Sequence, residues 1–366
     1  MDGKIQSLRA RIDALNLQIL ELLSQRARIA QDIGALQSAM GLSHYDPVRE
    51  QGMLEALTQA NTGPFTDATV KSLFKQIFQA SMQLEEAQEK RHYLTSRSAR
   101  STDTVVHVGD VAIGGEHAPV LVAGPCAIES EEQVEAVAAH VAGQGVTLFR
   151  GGAFKPRTDP YSFQGLGEEG LRVARAACDR HGLAFISEIM DAADLPLFEE
   201  HVDMLQIGAR NMQNFTLLKA AGRSHKPVLL KRGLAATVEE WVMAAEYLLN
   251  EGNPNVVLCE RGIRTFERYT RNTLDVSAVA LAKLETHLPV LVDVTHSGGR
   301  RDLLVPLTKA GLAIGADGIM LEVHPNPAVA LSDQKQQVDF ATFDRYLEET
   351  GYHTKLTQKR HEVYGF

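Results

Sequence analysis

Residues 148–158 read Leu148-Phe149-Arg150-Gly151-Gly152-Ala153-Phe154-Lys155-Pro156-Arg157-Thr158. The stretch places an apolar strand beside two glycines, three cations and a hydroxyl. Glycines let backbone amides approach an anion closely. Arginine grips phosphate or carboxylate oxygens in a fork, and lysine adds a point charge. The stretch therefore predicts a strand that ends in a binding site for anions, with a solvated basic loop as the alternative.

Short apolar runs of this kind recur from about residue 119 onward and alternate with amphipathic helical segments. They are residues 120–123, 147–149, 184–186, 204–207, 228–230, 256–258, 290–292 and 318–321. Eight strand–helix units in about 240 residues predict an α/β protein with a (β/α)₈ TIM barrel. A doubly wound sheet more often has fewer strands.

Residues 1–90 predict an all-α domain of three helices. The first helix has an apolar seam at heptad spacing, formed by Ile5, Leu8, Ile12, Leu15, Ile19, Leu22, Ile29, Ile33 and Leu36. Arg26 occupies one apolar slot of that seam, and Asp46-Pro47 predicts the start of the second helix. Three helices cannot close a large core alone, so we expect this domain to dimerise.

The polar, Ser- and Arg-rich residues 91–103 predict an inter-domain linker. Residues 104–366 then form the barrel domain, which opens with a candidate hairpin over residues 105–113.

Composition limits the partners. The 366 residues carry a net charge of −9, which argues against general affinity for nucleic acid. The three cysteines are odd in number and form no CxxC pair, so a disulfide framework is not expected. No secretory segment or bilayer-spanning apolar run is evident, which predicts a cytoplasmic protein without membrane contact.

Polar or ionisable side chains follow each of the eight runs, and the active site of such a barrel lies where its strands end. These residues are Cys126, Arg150, Lys155, Glu188, Arg210, Lys231, Glu260, Arg261, His296 and Glu322. Because every run delivers one to the same rim, we expect them to form a single site.

Four residues near this rim are candidate ligands of a divalent transition metal: Cys126, His296, Glu322 and Asp333. Mixed S, N and O donors suit Mn²⁺, Fe²⁺, Co²⁺ or Zn²⁺. A small core cysteine, a rim histidine and a capping aspartate are the alternative interpretation.

The cations near the rim outnumber what one phosphate requires, so two anionic substrates or one bisphosphate are expected. Two chemistries remain open. A metal-dependent enzyme would form a carbon–carbon bond by polarising a carbonyl. A Schiff-base aldolase would use Lys155 or Lys231 as its nucleophile, with Arg232 depressing the pKa of its neighbour.

Several motifs of the barrel segment resemble those of the short-barrel type I (beta subgroup) 3-deoxy-D-arabino-heptulosonate 7-phosphate (DAHP) synthases, over roughly residues 103–350. They are Gly124-Pro125-Cys126, the Lys-Pro-Arg-Thr of residues 155–158, residues 207–211, 230–233, 259–262 and 293–297, and Glu322-Val323-His324-Pro325. The resemblance implies condensation of phosphoenolpyruvate with erythrose 4-phosphate, the entry to the shikimate pathway. The sister octulosonate-phosphate synthases typically have an Asn-containing motif instead of Lys-Pro-Arg-Thr, which favours the seven-carbon product.

The same resemblance implies a role for each matching residue. Cys126, His296, Glu322 and Asp333 would bind the metal, Mn²⁺ before Fe²⁺, Co²⁺ or Zn²⁺. Arg150, Lys155, Arg210, Lys231 and Arg261 would hold phosphoenolpyruvate, and Arg157 with Thr158 the phosphate of erythrose 4-phosphate. Lys155, Glu188 and His296 would be the catalytic residues.

Residues 1–90 resemble the all-helical chorismate mutases. Arg9, Arg26, Asp46, Arg49, Glu50 and Ser81 match the pocket of that family, with Arg9 reaching the partner subunit's site. Arg26 would bind a carboxylate of chorismate, unless it forms a buried salt bridge with Glu50.

Two positions depart from the mutase pattern. Gln37 replaces a typical Lys and Glu85 a common Gln, and both normally donate to the ether oxygen of chorismate. This implies weak mutase activity, better at low pH, in a domain that binds chorismate or prephenate for feedback inhibition. A fully bifunctional enzyme and a purely dimerising domain are the alternatives. A homo-oligomer, with a dimeric N-terminal domain and a tetramer overall, is expected.

Overall fold

The computed structural model describes residues 2–40, 46–90, 93–157 and 159–352. Its contacts divide the chain into two compact units, Met1–Tyr93 and Leu94–Phe366. Within the described residues, no helix combines the length and the apolar character that crossing a membrane requires.

The first unit consists of three helices: α1 (Asp2–Ala39), α2 (Pro47–Gln59) and α3 (Asp67–Lys90). The Asp46 carboxylate accepts a hydrogen bond from the Arg49 backbone N–H, and Pro47 follows as the first helical residue. This is the predicted N-cap. Proline is tolerated as the first helical residue because the backbone N–H that it lacks would have no partner within the helix.

The apolar seam of α1 is largely uncovered within this unit. Its first six members expose about half of their surface or more, from 48% for Ile5 to 64% for Leu22. Among the described residues of the unit, the buried large apolar side chains are those of Leu54 and Phe78. Three helices thus leave a long apolar stripe in contact with water, as expected of a chain that pairs with another.

The second unit is a closed barrel of eight parallel strands, which confirms the predicted fold class. After a short hairpin of β1 (Val106–Val108) and β2 (Val111–Ile113), the barrel strands are β3 (Val120–Gly124), β4 (Leu148–Arg150), β5 (Ala184–Ile189), β6 (Met204–Ile207), β7 (Val228–Lys231), β8 (Val256–Glu260), β9 (Val290–Asp293) and β10 (Gly318–Glu322). They pair around the barrel in the order β10-β3-β4-β5-β6-β7-β8-β9. The helices are α4 (Glu131–Gly143), α5 (Glu168–His181), α6 (Leu195–His201), α7 (Phe215–Arg223), α8 (Val238–Asn250), α9 (Val276–Glu285), α10 (Val294–Gly298), α11 (Leu304–Ala313) and α12 (Phe340–Thr350).

Two apolar cores hold the barrel together. The outer core lies between strands and helices, where the fully buried Trp241 of α8 donates its indole N–H to the Leu230 carbonyl of β7. The inner core is completed by the hairpin of β1 and β2. Its buried side chains pack on early strand residues such as Val122 and Leu148, so the hairpin closes the barrel opposite the strand ends.

Most of the segment predicted as a linker is anchored to the barrel. The backbone N–H groups of Leu94 and Thr95 donate to the Glu246 carboxylate of α8. Arg97 donates to the Lys283 carbonyl, and Thr104, the first residue after the segment, is hydrogen-bonded to His287. These partners lie far away in the sequence, so the polar composition alone did not reveal them. Arg91 and His92 lie outside the described residues.

Candidate active site and helical pocket

A cavity of about 430 Å³ opens at the carboxyl ends of the strands. Its lining contains eight predicted site residues: Cys126, Lys155, Arg157, Glu188, Arg210, Arg261, His296 and Asp333. Arg150, Lys231 and Glu322 are buried beneath it and contact that lining or the carboxylates behind it. Thr158 lies outside the described residues.

Four donor groups meet at the base of the cavity. One ligand atom each from Cys126, His296, Glu322 and Asp333 lies within 4.8 Å of the others. His296 Nε2 is 3.4 Å from Glu322 Oε1 and 3.5 Å from Asp333 Oδ2, and Cys126 Sγ is 3.4 Å from that same oxygen. A thiol, an imidazole and two carboxylates this close together fit one divalent transition metal.

Asp293, the last residue of β9, holds His296 in place and was not predicted as a site residue. Its Oδ2 accepts hydrogen bonds from His296 Nδ1 at 2.8 Å and from Lys231 Nζ at 2.6 Å. Its Oδ1 caps α10 by accepting from the His296 backbone N–H. Because Nδ1 of His296 is hydrogen-bonded to Asp293, its Nε2 faces the other three donors. This arrangement is typical of metal-binding histidines.

The charges of this cluster shift its pKa values in opposite directions. Burial alone would raise the pKa of Asp293, but His296 and Lys231 hold it well below the ordinary value. Burial would likewise lower the pKa of His296, but Asp293 and Glu322 raise it to about 10. In the metal-free chain His296 is therefore an imidazolium at neutral pH.

Metal uptake should consequently release at least the proton of His296, because only the neutral imidazole is a ligand. Between pH 6 and 9, below that raised pKa, we expect the affinity for Mn²⁺ to rise at least about tenfold per pH unit. Calorimetry in buffers of different ionisation enthalpy measures the affinity and the number of protons released. Asp293→Asn removes the main carboxylate that raises the pKa of His296, so the affinity of this variant should depend less steeply on pH. An affinity independent of pH across this range would contradict the assignment.

The cations of the site fall into two groups. Arg150 is paired, donating to Glu322 Oε1 at 2.5 Å, and Lys231 is paired with Asp293. Among the described residues, Arg157, Arg210 and Arg261 have no carboxylate partner, although all three line the cavity. Without a directly paired carboxylate, these three guanidinium groups can bind anions that enter the cavity.

Lys155 lies close to the donor cluster. Its Nζ donates to the Cys126 carbonyl at 3.0 Å and lies 3.3 Å from the Cys126 sulfur. Burial alone would lower the pKa of Lys155, but Cys126 and Glu188 raise it above the ordinary value. A Schiff-base nucleophile must be a neutral amine, so this position favours a cationic role instead.

The surroundings of Lys231 differ from the predicted ones. Arg232 does not leave its charge beside Lys231, because it pairs with Glu260 at 2.9 Å and with Asp275 at 3.0 Å. Glu260 also accepts a hydrogen bond from the Gly262 N–H, so it serves the structure of the rim.

The glycines of the opening stretch have a different role from the one expected. The N–H of Gly151 donates to the Ile186 carbonyl and that of Gly152 to the Cys126 carbonyl, so neither is available to an anion. A Cβ at position 152 would lie 3.0–3.1 Å from Lys155 atoms and the Cys126 carbonyl. This glycine therefore makes room for Lys155, and side chains rather than amides present the positive charge.

Glu188 lies at the end of β5, where its carboxylate accepts from Gln206 Nε2 at 3.2 Å. A Cβ at Gly208 would overlap that carboxylate, so glycine is required there. Glu188 thus faces the cavity with few competing partners.

The first unit contains a second cavity, of about 260 Å³. Its polar lining consists of Arg26, Gln37, Asp46, Arg49, Glu50 and Ser81. Arg26 donates to the Ser81 hydroxyl, and its guanidinium lies 5.0 Å from the Phe78 ring centroid. Within the described part of the chain Arg26 forms no ion pair, so the alternative of a salt bridge with Glu50 is not realised.

One predicted residue of this pocket, Arg9, is absent from its lining. Arg9 is exposed, and 17 positions separate it from Arg26, about 26 Å along α1. It cannot complete the pocket of its own chain. The side chain of Glu85, in α3, lies outside the described residues.

Comparisons with known proteins agree with both units. Residues 85–359 match the DAHP synthetase I family, and residues 8–86 match chorismate mutase type II. A phospho-2-dehydro-3-deoxyheptonate aldolase of Thermotoga maritima is 53% identical over 260 residues, 71% of this chain and 77% of that protein. A 2-dehydro-3-deoxyphosphooctonate aldolase of Syntrophotalea carbinolica is 33% identical over 260 residues, 66% of this chain and 93% of that protein.

Solved structures give the same result. The crystal structure of a Thermotoga maritima DAHP synthase superposes with a TM-score of 0.69 at 52% identity, covering 71% of this chain and 76% of that one. A truncated Thermotoga maritima DAHP synthase gives a TM-score of 0.66 at 48% identity, covering 71% of this chain and 95% of that one.

Proposed function

We propose that this chain, which belongs to the DAHP synthetase I family and carries a chorismate mutase type II domain before its barrel, condenses phosphoenolpyruvate with erythrose 4-phosphate. The products are DAHP and phosphate, the first step of the shikimate pathway to aromatic amino acids. One observation carries the proposal: four metal-ligand atoms within 4.8 Å of one another share a cavity with three arginines that lack carboxylate partners in the described chain.

The cations divide between two substrates. We assign Arg150, Lys155, Arg210, Lys231 and Arg261 to phosphoenolpyruvate, whose carboxylate and phosphate need several donors. Arg157, with Thr158, is assigned to the phosphate of erythrose 4-phosphate. Holding two anions side by side requires this much positive charge, because their mutual repulsion opposes the encounter.

Cys126, His296, Glu322 and Asp333 are assigned to a divalent ion, Mn²⁺ in preference to Fe²⁺, Co²⁺ or Zn²⁺. Such an ion supplies Lewis-acid polarisation of the aldehyde oxygen. The enol carbon of phosphoenolpyruvate attacks the aldehyde carbon, water adds to the resulting cation, and phosphate leaves by C–O cleavage.

Side chains of this chain can donate and accept the protons that the reaction moves. Lys155 is an ammonium beside the donor cluster, so it can donate to an oxygen that gains negative charge. Glu188 faces the cavity and can accept a proton from the attacking water. His296, held by Asp293, completes the catalytic set as a ligand.

The test is product analysis with the full chain and Mn²⁺. Phosphoenolpyruvate labelled with ¹⁸O at its bridging oxygen should give DAHP and labelled phosphate when erythrose 4-phosphate is the partner. Preferential use of arabinose 5-phosphate would instead identify an octulosonate-phosphate synthase, the activity named for the relatives at 33% identity.

For the helical unit we propose that its pocket binds chorismate or prephenate, inhibits the barrel in response, and retains only weak mutase activity. Two observations support this. Arg26 has no ion pair among the described residues and so can meet a carboxylate, and Gln37 lines the pocket where a full charge would stabilise the transition state. A fully bifunctional enzyme is the alternative.

We further propose that two copies pair through the uncovered seam of α1, whose leucines and isoleucines are half-exposed. Arg9 would then line the pocket of the second subunit, and pairs of dimers would give a tetramer.

Arg26→Gln should weaken inhibition of the condensation by prephenate. Hydrogen bonds to charged groups contribute about 1.5–3 kcal/mol, so the inhibition constant should rise about 10- to 100-fold while the uninhibited rate stays unchanged. Arg28→Gln is the matched control, since Arg28 is exposed on the same helix and does not line the pocket. Equal inhibition of the wild type and Arg26→Gln would place the effector elsewhere.

A further inference from the structure

The side-chain amide of Gln336 bridges two carboxylates of the donor cluster. It lies in the loop after β10 and exposes only 3% of its surface. Its Nε2 donates to Glu322 Oε2 at 2.8 Å and to Asp333 Oδ2 at 2.9 Å. Both hydrogen atoms of the amide are therefore used on the proposed metal ligands.

Arg271 fixes the orientation of the Gln336 amide, that is, which positions its oxygen and its nitrogen occupy. Its Nη1 donates to Gln336 Oε1 at 2.7 Å and also contacts Asp333 Oδ1 at 3.2 Å. A guanidinium has no acceptor, so only the amide oxygen can face it. The amide nitrogen is thereby directed at Glu322 and Asp333.

The two oxygens of Glu322 have different partners as a result. Oε1 is 3.4 Å from His296 Nε2 and accepts from Arg150, so it is the oxygen that faces the donor cluster. Oε2 accepts a hydrogen bond from Gln336 at 2.8 Å, and the second hydrogen of that amide goes to Asp333 Oδ2, the oxygen near His296 and Cys126. A shared donor also offsets the repulsion between two adjacent carboxylates.

The backbone of Asp333 has an uncommon conformation, and hydrogen bonds within the loop after β10 hold it. Among the described residues, Asp333 is the non-glycine residue with positive φ, at 44°. Its carbonyl accepts from the N–H groups of Gln336 and Gln337. A left-handed conformation at such a residue is uncommon and persists where neighbouring contacts hold it.

We propose that Gln336 is a positioning residue for the divalent ion. It presents one oxygen of Glu322 and one of Asp333 towards Cys126 and His296, and it keeps the second oxygen of Glu322 from binding. The proposal rests on the metal-dependent function proposed above and adds to it a residue that sets how the ligands bind.

The test compares Gln336→Met with the wild type, in full-length chain stripped of metal. Methionine matches the length of glutamine but cannot donate. The dissociation constant for Mn²⁺ should rise about 10- to 100-fold, the usual effect of losing a partner that orients a ligand. The visible absorption of bound Co²⁺ should also change, because Glu322 becomes free to bind through both oxygens.

Two further variants complete the design. Gln336→Asn keeps an amide, but its side chain is too short to span both carboxylates, so this variant should change the Co²⁺ spectrum in the same direction. It replaces Gln336→Met in the experiment if Gln336→Met does not fold. Gln334→Met is the matched control, because Gln334 is exposed in the same loop and donates to the Ala330 carbonyl instead.

The outcomes separate the two proposals. A wild-type chain that takes up neither Mn²⁺ nor Co²⁺ would overturn the metal-dependent function and the role of Gln336 with it. A wild type that binds both ions, alongside a Gln336→Met variant with the same affinity within threefold and the same spectrum, would overturn only the role of Gln336.

Discussion

Stripping the chain of divalent metal with a chelator is expected to lower the rate of the condensation by at least about 10³-fold, and Mn²⁺ is expected to restore it. Polarising a carbonyl is worth several kcal/mol of transition-state stabilisation, and each 1.36 kcal/mol is a factor of ten in rate. Initial rates of phosphate release before and after adding back Mn²⁺ give the measurement.

Two cysteine variants test whether this loss of rate comes from metal removed from the donor cluster. Cys126→Ala removes one of the four donors, so Mn²⁺ should fail to restore its activity at concentrations that restore the wild type. Cys178→Ala is the control. Cys178 is buried in α5, where burial raises the pKa of its thiol and keeps it protonated. It should respond to chelator and Mn²⁺ as the wild type does.

The competing Schiff-base chemistry makes the opposite prediction. Cys126 and Glu188 raise the pKa of Lys155 and favour its ammonium form, and Lys231 Nζ is engaged by Asp293 Oδ2 at 2.6 Å. Borohydride added during turnover should therefore leave both lysines unmodified. Full activity in chelator, together with covalent trapping at either lysine, would refute the metal-dependent reaction.

The position of the rim residues could be predicted because it follows from the chain locally. In a parallel barrel, the residue that ends an apolar run lies at the carboxyl end of its strand, as Arg150 and Lys231 do. No knowledge of other strands is needed to place such a residue on the rim. The eightfold repeat of runs and helices predicts a single barrel, in which the carboxyl ends of all eight strands lie at the same rim.

The residues that escaped prediction are those whose role depends on distant partners. Asp293 follows the apolar run of residues 290–292 and was named only within the motif of residues 293–297, whereas its role comes from Lys231, 62 positions earlier, and from His296. Gln336 contacts Arg271 across 65 positions. Gly151 and Gly152 were misinterpreted because their amides are taken up by carbonyls of the neighbouring strand and loop.

The helical unit shows a different limit. The periodicity of α1 identified its apolar face, and the misfit of Arg26 identified the pocket. What covers the seam cannot be read from one chain, because the periodicity is the same whether the partner is internal or a second subunit.

Gln37→Lys is expected to raise the chorismate mutase rate of the full chain about 10²-fold at neutral pH. Gln37 lines the helical pocket, and an amide donates a hydrogen bond without carrying a full charge. As the ether bond of chorismate breaks, negative charge grows on its oxygen. A well-placed donor at a developing oxyanion is worth about 10²–10³ in rate, and a lysine ammonium supplies more of this than an amide.

The wild type should be slow at pH 7.5 and should accelerate as the pH falls towards 5. Glu85 can donate only when protonated, and the protonated fraction of a carboxyl group grows as the pH approaches the range where carboxylic acids titrate. The rate is followed by the disappearance of chorismate at several pH values.

Gln51→Lys separates the placement of the charge from its mere presence. Gln51 lies on α2 of the same unit, exposed and hydrogen-bonded to Glu55, and it does not line the pocket. This variant adds the same charge and should leave the mutase rate unchanged. A wild type already fast at neutral pH, with Gln37→Lys no faster, would instead establish the fully bifunctional enzyme. The ether oxygen would then be stabilised by donors other than a cation at position 37.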